Sequence, residues 1–122
     1  MPELLEILFL ITMDVAAANG TQVELYFGES DSATVGTDNP SILTGVDGAL
    51  ATPAEYKLQL DFVGALNLSN ARGTSQQAQR FRYYPTCPHI IPVVVNRGGQ
   101  ALDNVANSCE VRVTPYYRKI QD

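Results

Sequence analysis

Six apolar residues at alternate positions open this chain: Leu5, Ile7, Phe9, Ile11, Met13 and Val15. Strand side chains alternate between two faces, while a helix returns to one face every 3.6 residues. The spacing therefore predicts a strand. Leu4, Leu8 and Leu10 give the first half of the run a second apolar face, which Glu6, Thr12 and Asp14 interrupt. A short helix over residues 2–10 is the competing reading, because Pro2 and Glu3 suit a helix start. The β-branched and aromatic residues of 7–15 favour the strand.

The pattern recurs at Val23, Leu25 and Phe27, with Gln22, Glu24 and Tyr26 on the other side. A two-residue Asn19-Gly20 turn would set Val15 against Glu24 and mix the faces. A three-residue loop over 18–20 pairs Val15 with Val23, Met13 with Leu25 and Ile11 with Phe27. That matching predicts a hairpin with Gly20 at positive φ. Residues 28–55 keep no period and are predicted to form a long ordered arm. It would carry one or two short strands around Ser41 to Thr44, laid over its own sheet or a neighbour. Alternation returns over Tyr56 to Phe62, continuing through Ala65 to Leu68 after a break at Gly64. A turn-rich loop spans Asn70 to Ser75, and Ala78 to Tyr84 alternates again. Pro85, Pro88 and Pro92 mark Ile90 to Val95 as an edge strand or a strand begun after a bulge, since proline cannot donate to a ladder. After a loop over Asn96 to Ser108, Cys109, Val111 and Val113 face inward on a last strand.

About eight short strands separated by turns predict an all-β fold, an antiparallel β-sandwich of jelly-roll-like form. The 122 residues have room for one such domain, spanning 1–122, and for a core that holds without metal or disulfide staples. The low charged fraction, 17% with two lysines, agrees, because helical surfaces are usually filled with Glu, Lys and Arg. The opening run is a poor secretory signal, since Glu3 stands where Lys or Arg belongs, and it is too short to span a membrane.

The chain carries no P-loop, GxGxxG, HExxH or GxSxG pattern. His89 is the only histidine, so any Ser-His or Cys-His pair must use it. Cys87 and His89 lie two apart, and with Cys109 they are the candidate metal ligands. Against a site stand Pro88 between them and the want of a fourth ligand, so no metal and no cofactor are expected. Two buried, reduced thiols are the expectation for Cys87 and Cys109, with a single bridge as the alternative in an oxidising compartment. Asp31, Asp38 and Asp47 lack the ligand density of a calcium loop and read as solvated acids.

Charge divides along the chain. Residues 1–61 hold ten acids and one base, while residues 62–122 hold three acids and seven bases; the whole is −5. Halves kept on different surfaces would give each copy an acidic and a basic patch, which suits association. Arg80-Phe81-Arg82-Tyr83-Tyr84 interleaves bases and aromatics, and Tyr116-Tyr117-Arg118 repeats that composition. The net negative charge opposes nucleic acid. Tyrosine and arginine are frequent anchors of protein interfaces. Tyr83, Tyr84, Arg80, Arg82, Tyr116, Tyr117 and Arg118 are therefore the candidate interface.

An apolar opening strand (Leu4 to Val15), a long arm (Gly28 to Glu55), a compact β core and a closing Pro115-Tyr116-Tyr117-Arg118 together resemble the small capsid cement or decoration proteins of tailed bacteriophages. The resemblance is one of type, and no signature residue is carried over. It implies a non-enzymatic structural protein, made in the host cytoplasm without a signal peptide and placed on the outer surface of the virion. There it would bridge major capsid subunits, associated with its own copies as a trimer, with no nucleic acid or membrane partner. Head-completion and tail proteins share these traits. The alternative is a carbohydrate-binding β-sandwich module, for which six tyrosines supply stacking surfaces while the lack of Trp removes the usual platform.

Overall fold

A computed structural model describes residues 3–34 and 60–117. The expected strand around Ser41 to Thr44, most of the arm, the Tyr56–Leu58 alternation and Arg118 lie outside these residues. Six strands are described: β1 (Leu4–Ile11), β2 (Gln22–Ser30), β3 (Asp61–Asn67), β4 (Gln77–Tyr83), β5 (His89–Arg97) and β6 (Glu110–Tyr116). They form two antiparallel three-stranded sheets, β4-β1-β6 and β3-β2-β5. The only helical segment among the described residues is one 3-10 turn, Asn70–Arg72. The fold is all-β and sandwich-like, with six strands described against about eight expected. No described helix is long and apolar enough to cross a membrane.

The inner faces follow the alternation. Leu5, Ile7, Phe9, Ile11 and Met13 from the first run pack with Val23, Leu25 and Phe27 from the second, and Leu66 and Leu68 join them. Val15 is the exception: the strand ends at Ile11, and Val15 is 52% exposed in the connection.

The β1–β2 hairpin does not form. β1 is the central strand of one sheet and β2 of the other. Their apolar faces match because they oppose each other across the core, not because the strands are neighbours. Gly20 does take φ +82, but in a turn that carries the chain between sheets. That crossing lies beside the β3–β4 crossing. Leu68 N–H donates to Thr21 O (2.8 Å), Gly20 N–H to Leu68 O (3.2 Å) and Asn70 N–H to Asn19 Oδ1 (2.8 Å). The third crossing at this end, between β5 and β6, is tied to β1 by a Met13–Leu102 bridge and by Thr12 N–H on Cys109 Sγ (3.4 Å).

Gly64 does not break a strand. β3 runs through it, and the register shifts between Leu25 and Tyr26 so that Val63 is the extra residue of a bulge. A Cβ at Gly64 would overlap the Phe81 ring of β4. The glycine lets the two sheets approach where β3 meets β4. Tyr83 Oη–H donates to Asp61 Oδ2 (2.8 Å) across the same junction. Pro92 sits in β5, which among the described residues is an outer strand of its sheet.

Among the described residues the two charge halves are not on separate surfaces. The acid-rich half supplies both central strands, β1 and β2, and the basic half supplies β4, β5 and β6 beside them. Arg80–Glu6 (3.2 Å) and Arg97–Glu24 (2.7 Å) pair the halves within each sheet. Separate acidic and basic patches, expected from the linear distribution, are thus replaced by pairing across strands.

Candidate functional site

The outer face of β4-β1-β6 gathers most of the expected interface residues. On β1 the even positions Leu4, Glu6, Leu8 and Leu10 point away from the core. Register places Tyr116 beside Leu4, Arg82 and Thr114 on either side of Glu6, and Arg80 and Arg112 on either side of Leu8. Opposed residues on one face lie about 5 Å apart, so these form a single surface. Leu4 and Leu8 are partly covered, and the aliphatic stems of the arginines flanking Leu8 suit that role, while Leu10 is buried.

Glu6 organises the centre. Its Oε1 accepts from Arg80 (3.2 Å) and its Oε2 from the Tyr116 hydroxyl (3.1 Å). The bond to Glu6, then the charge of Glu6, raises the Tyr116 hydroxyl above its ordinary value of 10. Arg112 donates to Glu110 (2.7 Å). Arg82 has no ion pair among the described residues. A shallow concavity opens between Glu6, Arg80, Phe81 and Arg82.

Tyr84 and Tyr117 follow the ends of β4 and β6 and are 66% and 67% exposed. Tyr83 does not belong with them. It lies on the inner face, its ring edge-on to Phe27 at 4.8 Å. Burial first, then Asp61 and Glu29, drive its hydroxyl far above the ordinary value of 10. Arg112, Leu4, Leu8 and Glu6 were missed as members of the face. Their signal was present in the apolar even positions of β1 and the outward position of Arg112 in the last strand.

Cys87, His89 and Cys109 are not brought together. Cys87 lies in the β4–β5 crossing, past the Leu5–Tyr83 end of the sheet, while Cys109 Sγ bonds to Thr12 at the opposite end. Seven residues of extended β1 backbone separate those levels, roughly 20 Å. Both thiols are free, no bridge spans them, and no group of three metal-ligating side chains occurs among the described residues. His89 stands exposed opposite Ser30.

One polar cluster is built for structure. The Glu29 carboxylate accepts from Thr86 N–H (2.7 Å), from the Thr86 hydroxyl and from Cys87 N–H (3.4 Å). It clamps the segment that carries the chain from β4 to β5. Burial alone would raise this carboxyl; the bonds from Thr86 and Cys87 outweigh it and hold the group below its usual 4.5.

No protein-family model, curated protein or solved structure matches this chain.

Proposed function

We propose that this chain is a structural interaction protein that docks on a larger assembly through the outer face of β4-β1-β6, as a capsid cement or decoration protein does on subunits of a viral shell. On this reading the two sheets are a sandwich of jelly-roll type. The observation that carries it is the concentration of Arg80, Arg82, Arg112 and Tyr116 around half-covered leucines on one surface. Arginine and tyrosine over an apolar centre is the composition of interface anchors. Arg82, without an acid of its own among the described residues, would pair with a partner carboxylate.

The test is co-sedimentation of the full chain with assembled phage heads, for wild type, Arg82→Glu and Tyr116→Ala. Loss of head binding in both variants, with an unchanged unfolding midpoint, supports the reading. Wild type that ignores the heads overturns it. Tyr84 and Tyr117, both largely exposed, favour a second reading in which the tyrosines stack on a sugar ring. A glycan array separates the two. Sugar binding lost in Tyr84→Ala and Tyr117→Ala, with no affinity for heads, would replace the docking role.

A further inference from the structure

We infer that two copies of this chain join edge to edge along β6, antiparallel about a two-fold axis at Val111. β6 is an outer strand of its sheet, and among the described residues no strand pairs on its far side. Such an edge is a template for another strand. The inner-facing Val113 beside it is 41% exposed, as is Val94 (40%) of β5 at the same level. The inference goes beyond the docking role: it uses the backbone edge of β6, with Glu110 and Arg112 at the rim of the outer face, and does not require a viral partner.

The sequence of β6 selects the register. Tyr116 O accepts from Glu3 N–H of the β1 side (3.0 Å), so by alternation Thr114, Arg112 and Glu110 turn their peptide groups to β1. Val111, Val113 and Pro115 turn theirs to the free edge. A two-fold at Val113 would put Pro115, which has no N–H, into the new ladder opposite Val111. One at Arg112 would set two arginines face to face, which is destabilising. A two-fold at Val111 avoids both. It pairs Val111 with itself and Val113 with Cys109 of the second copy, and it leaves Pro115 outside. It also sets Glu110 opposite Arg112 twice, once in each direction. A closed two-fold contact of this kind repeats one patch on both copies. It would make one continuous sheet from the two β4-β1-β6 sheets, and a dimer where the family resemblance implies a trimer.

Sedimentation velocity of the full chain from about 1 to about 100 µM tests the inference, a range that spans weak to moderate self-association. Wild type is expected to dimerise. Glu110→Arg and Arg112→Glu, each folded by circular dichroism, create two like-charge contacts per dimer and should weaken association about tenfold or more. An equimolar mixture of the two variants restores both contacts as opposite-charge pairs, so it should form heterodimers where each alone is monomeric. Rescue by mixing cannot arise from changes within one copy. A wild type that stays monomeric or forms a trimer, a dimer untouched by both substitutions, or a mixture that stays monomeric would each overturn the inference.

Discussion

The two long sides of this molecule close differently. Where β3 meets β4, Gly64 admits the Phe81 ring, Tyr83 bonds to Asp61, and Phe27 packs edge-on to Tyr83. Where β5 faces β6, the inward positions stay partly in water, with Val94 and Val113 each about two-fifths exposed. Register explains the contrast. Val94 lies opposite Leu25 and Val113 opposite Ile7, so both point at the core, but no bulge or glycine draws their sheets together. The β5–β6 connection covers only the Met13 end, through Leu102. A core can thus be sealed on one flank by a single missing side chain and left ajar on the other by two small ones.

Substitutions should reproduce that asymmetry in urea unfolding. Phe27→Ala removes a fully buried ring from the closed flank and should cost about 3–5 kcal/mol. Gly64→Ala forces a methyl into the Phe81 ring and should cost about 1–3 kcal/mol, with Phe81→Leu in the same chain recovering part of it. A Gly64→Ala protein as stable as wild type would mean that the flank is loosely packed. Glu29→Gln weakens the clamp on the β4–β5 crossing and should cost about 1 kcal/mol at neutral pH, allowing for solvent screening. The carboxyl is held below 4.5 in the folded chain, so its contribution is present above that value and lost as the pH falls through the lowered one. The loss between wild type and Glu29→Gln should therefore shrink on acidification, and a difference independent of pH down to 3 would remove the clamp from the account. Val113→Ser on the open flank should change monomer stability by no more than about 0.5 kcal/mol. A cost near that of Phe27→Ala would show the flank to be closed.

Alternation made the strands and their inner residues readable, because burial imposes period two directly on residues such as Ile7 and Leu25. It left neighbours unreadable. Two strands with matched apolar faces satisfy the same pattern whether they lie side by side or face to face, and β1 and β2 take the second arrangement. Gly64 was legible as an irregularity, but its cause, a ring from another strand, is a long-range contact that leaves no local mark. On the candidate face, Arg80, Arg82 and Tyr116 were legible from residue type. Tyr83 was misplaced by the same criterion, although alternation set it beside Phe81 on the inner side. The charge halves misled because a polarised sequence implies polarised surfaces only if early strands pair with one another.

The central placing of β1 and β2 also dictates an order of events. β1 waits for two flanks made much later, one at Gln77–Tyr83 and one at Glu110–Tyr116, and β2 waits for His89–Arg97. A chain emerging from the ribosome would hold the ribbon of leucine, isoleucine and phenylalanine in β1 bare along one margin until Gln77–Tyr83 had appeared, and along the other until nearly the last residue described. Assembly dominated by such distant partners takes milliseconds to seconds, and throughout synthesis the nascent chain would be a client for whatever shields unfinished β ribbons in the cell.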